Sequence, residues 1–370
     1  MTPGAPDAYE YDRADAPADA LRLHLNEHTG GCSPAVTKAV AAVTRETIAK
    51  YPDYTRVTQA VASHLGVPTT RVVLTNGLDE GIFAVAIAQV RGPRTGDLGP
   101  GTGGGRLQPD VRSLTEAVIL EPAFGMYADA VDAVGGSVVR VMPAPGLGLD
   151  RAAISAAIGP CTGILFVASP GNPSGISLTH DEVAWLASLL PPGALMFLDE
   201  AYVEFGGATF IPHIDAHPNV VVGRTFAKAY GLAGMRAGAV VAREDVAARL
   251  RRVLPPYSPN VFVVAALEAA LVDRAYMDAY RAEVAESKQR LYAACDRLGL
   301  EYLRSDANFV LIRAGRHRQA LLDGLQARNI YIRDRDRQPG CEGCVRVTTG
   351  LVAHTQACID AMEEILCAKA

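Results

Sequence analysis

Lys228 lies in the stretch Arg224-Thr225-Phe226-Ala227-Lys228-Ala229-Tyr230-Gly231-Leu232-Ala233-Gly234-Met235-Arg236-Ala237-Gly238, with a hydroxyl residue three positions before it and an arginine eight after it. A lysine held in a small apolar pocket is poorly solvated as a cation, which frees its amine to act as a nucleophile and proton carrier. Thr225 and Arg236 add a hydroxyl and a fork of donors suited to a phosphate. A surface lysine beside a structural arginine is the plainer reading of the same letters. The small residues and glycines suit neither a regular helix nor a strand, so the stretch reads as a turn built around one amine.

Four other segments place polar residues where apolar runs end. Thr75-Asn76-Gly77-Leu78-Asp79-Glu80-Gly81 runs straight into an apolar helix. A glycine there lets the backbone approach a ligand, and the helix start offers free amides to an anion, although an acidic helix cap explains Asp79 and Glu80 as well. Glu121-Pro122-Ala123-Phe124-Gly125-Met126-Tyr127 sets an aromatic, Phe124, just past a strand, either as core or as a face for a planar ring. Ser169-Pro170-Gly171-Asn172-Pro173-Ser174-Gly175 is a turn exposing the Asn172 amide, for which an Asx-turn is the structural alternative. Ala194-Leu195-Met196-Phe197-Leu198-Asp199-Glu200-Ala201-Tyr202 drives an apolar strand into a carboxylate. That carboxylate is costly unless it meets a cation or donors, such as a protonated pyridine nitrogen or a helix N-terminus.

The elements that must position these groups alternate between short β-rich runs and amphipathic stretches from Arg71 to about Val241, the pattern of an α/β fold with a mostly parallel sheet. Strands are expected at Val72–Thr75, Ala117–Glu121, Ser137–Met142, Gly163–Ser169, Ala194–Asp199, Val220–Gly223 and Ala237–Val241. In such sheets the ligand crevice lies at the carboxyl ends of the strands, where the polar segments fall. From about Ala248 the texture changes to charged amphipathic helices, as in Ala275–Leu298, with strands expected at Phe309–Arg313, Ile330–Arg333 and Cys344–Thr348. This gives an arm at 1–25, a large domain at 26–247 and a smaller α+β domain at 248–370. The Gly- and Pro-dense segment 91–108 reads as a disordered insertion.

The totals agree with a small-molecule enzyme. The chain has 370 residues, 49% hydrophobic and 20% charged, and a formal charge of −5, without the basic stripe that nucleic-acid backbones require. The longest apolar run, Val261–Val272, contains Glu268 and is too short for a bilayer. The first twenty residues carry Asp7, Glu10, Asp12, Asp15 and Asp19 against Arg13, the reverse of a signal peptide, so a cytoplasmic protein with a mobile acidic start is expected. Seven cysteines suit reduced thiols, and Cys341-Glu342-Gly343-Cys344 lacks the second pair that a zinc ribbon needs, so no metal is expected.

In this order and spacing the motifs, from Leu23-His24-Leu25-Asn26-Glu27 to Arg346, resemble the fold-type I pyridoxal-phosphate aminotransferases, and within them the histidinol-phosphate aminotransferases. The resemblance implies a ping-pong transaminase. Lys228 would hold the cofactor covalently and carry the Cα proton, and Asp199 would keep the pyridine nitrogen protonated. Tyr202 and Asn172 would bond the ring 3-hydroxyl, and Phe124 would stack on the ring. Thr225, Arg236 and the backbone at Gly77, Leu78 and Asp79 would bind its phosphate. Tyr51, in Lys50-Tyr51-Pro52-Asp53, would reach the phosphate of a neighbouring subunit, implying a homodimer with shared sites. Arg333, Arg346 and Asn172 would bind the substrate.

Three departures bear on the substrate. Ala227 stands where the family usually carries serine, the arm before Leu23 lacks the usual tyrosine segment and leaves Tyr9 or Tyr11, and 91–108 is longer than the expected turn. The alternatives are a specialised transaminase for an arginine-derived cyclic guanidino amino acid, and a decarboxylase of the threonine-phosphate type.

Overall fold

The computed structural model describes residues 16–90 and 115–367; Tyr9, Tyr11 and the segment 91–108 lie outside the described residues. Thirteen strands are present among the described residues: β1 (Leu21–Arg22), β2 (Val72–Asn76), β3 (Glu116–Leu120), β4 (Ser137–Val141), β5 (Thr162–Ala168), β6 (Leu195–Asp199), β7 (Val220–Thr225), β8 (Ala237–Val241), β9 (Glu301–Tyr302), β10 (Phe309–Arg313), β11 (Ile330–Tyr331), β12 (Arg333–Asp334) and β13 (Cys344–Thr348). Seven form one sheet in the order β2-β8-β7-β6-β5-β3-β4. Only β8 runs antiparallel to its neighbours there.

Every residue of β6, β7 and β8 is buried, as expected of central strands covered on both faces and as their unbroken apolar runs predict. On one face Phe166 and Phe197 pack with Ile82 and Val85 of the helix Gly77–Gln89 and with Tyr127 of the helix Met126–Ala133. On the other, Leu165, Met196 and Val222 pack with Ile154 and with Val183 and Leu186 of the helix His180–Ser188. That helix starts in a capping box, Thr179 and Glu182 each bonding the other's backbone amide.

The boundary expected at 247 cuts the helix Glu244–Val253, and both this helix and Val261–Val272, beyond the boundary, pack on the large sheet's layers. Val246 and Leu250 of Glu244–Val253 join the core around Ile82, and Val263 and Leu267 of Val261–Val272 join Val57, Val61 and Phe226. Their apolar faces decide this, not their charge content. Among the described residues no helix is long and apolar enough to cross a membrane.

A second sheet, β12-β13-β10-β9, is antiparallel and lies under the helices Arg274–Leu298, Arg318–Gln326 and Val352–Cys367. The single strand expected at Ile330–Arg333 is two. β11 pairs in parallel with β1, and after Ile332 the chain turns to pair β12 with β13. The chain from Leu21 on is therefore docked, not mobile: Leu23 is fully enclosed among Leu325, Val345 and Val347. Cys341 and Cys344 are free thiols, both buried beside Leu311, the first just before β13 and the second opening it.

Because Leu23 anchors this segment, Leu23→Ala should cost about 2–5 kcal/mol, as large-to-small core changes do. Urea unfolding checks this, and an unchanged midpoint would show that the segment is not docked in solution.

Candidate active site

β2 ends at Asn76 and the chain enters the helix Gly77–Gln89 through Gly77, whose φ of 75° favours glycine. The Asn76 side chain does not cap this first turn, although Glu80 accepts from the Asn76 amide at 2.6 Å. A Cβ on Gly77 would lie 2.6 Å from Nη2 of Arg236, and one on Gly238 would lie 2.6 Å from the carbonyl carbon of Gly77. The two glycines thus let β8 press against the helix start and let the Arg236 guanidinium lie across it. Arg236 donates to Asp79 at 2.6 Å and to the Ala233 carbonyl at 3.2 Å. Uncapped amides and an arginine at one helix start make an anion cradle, which the Asp79 carboxylate partly fills here.

β7 runs to Thr225, two residues beyond the expected end, and the Thr225 hydroxyl accepts from the Ala227 amide at 3.2 Å. That bond opens the turn carrying Lys228, whose Nζ donates to the Leu25 carbonyl at 3.1 Å and sits 5.9 Å from the centre of the Tyr202 ring. Asp199 ends β6 and is 6% exposed. Its carboxylate accepts from the Tyr127 hydroxyl at 2.6 Å and the Ala201 amide at 2.9 Å, and among the described residues it has no ion-pair partner. Burial pushes its pKa up to about 6, against the opposing pull of those two bonds.

Asn172 does not present a bare amide, because its Oδ1 accepts from Arg346 at 2.5 Å. Arg346, on β13, also donates to the His24 carbonyl at 2.6 Å, and it faces Arg333 of β12 directly in the strand register. The Tyr202 hydroxyl accepts from the Asn26 side chain at 2.9 Å.

These groups meet in one cavity of about 680 Å³ at the carboxyl ends of β5, β6 and β7. Its wall includes Leu78, Asp79, Phe124, Asn172, Asp199, Tyr202, Thr225, Lys228, Arg236, Arg333 and Arg346, and Gly77 lies behind Arg236. Tyr51 stands apart: it is 79% exposed and stacks on Tyr257 with ring centres 4.3 Å apart. A separate cavity of about 140 Å³ shares Ala123, Tyr127 and Ala168 with the first and holds none of the candidate residues.

Sequence reasoning left Tyr127 and Asn26 without roles, although both fall inside motifs it used. Tyr127 stands three positions after Phe124, one helical turn on, and its ring stacks at 4.9 Å on Phe166 while its hydroxyl holds Asp199. Asn26 carried no local signal. Its φ of 56° and its bonds to Thr348 and Tyr202 exist only once distant parts of the chain meet.

The sequence profile of the family described as "Aminotransferase class I and II" matches residues 18–362. The "Histidinol-phosphate aminotransferase 2" of Ralstonia nicotianae is 34% identical, covering 94% of this chain and 89% of that protein. Among solved structures, the histidinol-phosphate aminotransferase of Sinorhizobium meliloti in complex with pyridoxal-5'-phosphate superposes with a TM-score of 0.82 at 26% identity, covering 95% of this chain and 92% of that one. The L-threonine-O-3-phosphate decarboxylase of Porphyromonas gingivalis shares the fold, with a TM-score of 0.72 at 24% identity, covering 93% of this chain and 99% of that one. With a family match that spans nearly the whole sequence and a mostly parallel seven-stranded sheet ending in these groups, the chain belongs to the class I and II aminotransferases, the pyridoxal-phosphate enzymes of fold type I.

Proposed function

We propose that the protein transfers an amino group between a donor of the histidinol-phosphate type and a 2-oxo acid, using Lys228 as the reacting amine. The observation that carries this is the convergence of Lys228, Asp199, Tyr202, Thr225 and Arg236 on one cavity.

The residues fit pyridoxal phosphate on their own terms. Asp199 is a buried carboxylate with no ion-pair partner among the described residues, and a protonated ring nitrogen would supply one. The cradle of Gly77, Leu78, Asp79, Thr225 and Arg236 suits a phosphate. When bound, the cofactor supplies an aldehyde for the amine and a ring that accepts the electrons left as the Cα proton departs. Lys228 would hold it covalently and, when freed, would take the proton from the substrate Cα at Nζ. The hydroxyl of Tyr202 and the amide of Asn172 would bond the ring's 3-hydroxyl, Phe124 would cover its face, and Arg346 with Arg333 would orient the substrate's anionic group. Tyr51 completes the phosphate site of a second copy, which makes the working form a homodimer; its exposure supports this.

Ala227, 6% exposed on the cavity wall, favours a second reading in which the substrate is another amino acid, such as an arginine-derived cyclic guanidino compound. The missing hydroxyl leaves one fewer bond to a phosphate. A half-reaction screen of the holoenzyme against histidinol phosphate, histidine, arginine, aromatic amino acids and glutamate decides between them. Strong preference for histidinol phosphate supports the first reading, and CO₂ release without amino transfer would replace both with a decarboxylase.

Lys228→Ala should abolish both turnover and the visible absorption of the covalently held cofactor; retention of either would remove Lys228 from its role. Asp199→Asn tests the buried carboxylate through pH. Its pKa is raised from 3.8 to about 6, so the folded apoprotein binds this proton more tightly than the unfolded chain. The stability it adds is full below pH 3.8 and is lost as pH rises through about 6, on the order of 3 kcal/mol. Urea unfolding at a series of pH values should show this slope reduced in Asp199→Asn, and parallel slopes would place the buried proton elsewhere.

A further inference from the structure

Tyr127 stands on the cavity wall and has no part in the function proposed above. Its hydroxyl donates to Oδ2 of Asp199 at 2.6 Å and the Ala201 amide donates to Oδ1 at 2.9 Å, so each carboxylate oxygen meets one donor and the plane of the group is fixed. The phenol ring is itself 1% exposed and held on two sides. It stacks on Phe166 with ring centres 4.9 Å apart and 8° between the planes, and it meets Phe124 edge-on at 5.8 Å.

A fixed O–H donor does not serve the two states of Asp199 equally. The ionised carboxylate accepts a charge-assisted bond, and the neutral acid accepts a weaker one. Burial raises the Asp199 pKa, and the Tyr127 bond is the largest influence against that rise, ahead of the Ala201 amide. Two further charged groups bear on the carboxylate. Asp79, from the helix Gly77–Gln89, adds to the rise, and Lys228, from the turn after β7, opposes it. Tyr202, beyond the end of β6, bears on the Tyr127 phenol, whose own pKa is pushed well above 10 by burial and then by the Asp199 charge. Tyr127 therefore remains a donor throughout the range in which Asp199 titrates.

We propose, on the reading of the cavity as a pyridoxal-phosphate site, that Tyr127 is a positioning residue that holds the Asp199 carboxylate ionised and in a fixed plane before the cofactor enters. Without its hydroxyl the apolar layer favours the neutral acid, and a protonated ring nitrogen then meets an O–H group in place of an anion. Binding must first release that proton. The resulting loss of affinity is confined to low pH, whereas a tyrosine that served only as packing would weaken binding alike at every pH.

The test is the affinity of the apoprotein for pyridoxal phosphate between about pH 6 and about pH 9, in the parent and in Tyr127→Phe, which keeps the ring, its volume and its stack. Loss of one hydrogen bond to a carboxylate raises its proton affinity ~10–100-fold. Tyr127→Phe should therefore bind the cofactor ~10-fold more weakly than the parent at about pH 6 and equally well at about pH 9. Urea unfolding of the two apoproteins gives a second readout that needs no cofactor. The stability that the parent loses as pH rises through about 6 should persist to higher pH in Tyr127→Phe. Equal weakening at every pH, no weakening at low pH, or an unfolding profile that does not move overturns the role of Tyr127 and leaves the cofactor site standing. A parent apoprotein that binds no pyridoxal phosphate overturns the site and this role with it.

Discussion

A carboxylate inside an apolar layer must be given donors or a cation, and the surroundings of Asp199 follow from that need. Strand β6 delivers two successive carboxylates at its end, and strand geometry turns them to opposite faces of the sheet. Glu200, on the side away from the cavity, is met by the Phe210 amide, the Thr209 hydroxyl and Arg224, which in turn pairs with Glu204. Asp199, on the cavity side, receives a tyrosine and one amide, and among the described residues it forms no ion pair. Glu200 is the more fully partnered of the two, and Asp199 faces the cavity. Tyr127 can hold it because Phe166 and the helix Met126–Ala133 fix the ring in place.

The cavity is shared by two sheets, and the segment from Leu23 to Asn26 ties them. Its backbone carbonyls receive Arg346 from the small sheet and Lys228 from the turn after β7, and the Asn26 side chain reaches Tyr202. Lys228 and Arg346 are therefore referenced to the same four residues. A shift of that segment moves both together.

Much of this was legible in the letters. Strands buried on both faces announce themselves as apolar runs, and their polar ends, Asp199, Thr225 and Asn76, marked the crevice because a charge or hydroxyl there interrupts a pattern. Lys228 and Arg236 could be paired from one contiguous stretch. What escaped was long-range. Nothing local tells that Asn172 is held by Arg346, that Ile330–Arg333 divides between two partners, or that the helices Glu244–Val253 and Val261–Val272 pack on the large sheet's layers.

The tie at Asn26 also bears on how the molecule is made. Its bonds to Thr348 join residues 322 positions apart, close to the full span of the chain. Loop closure over such a distance must precede any reward from the contact, so it belongs among the slow, non-local steps of folding. On a ribosome the large sheet is complete once Val241 has emerged, yet the strand bearing Arg346 follows a hundred residues later. The nascent chain thus holds Lys228 and Arg236 well before β13 can close the other side of the cavity.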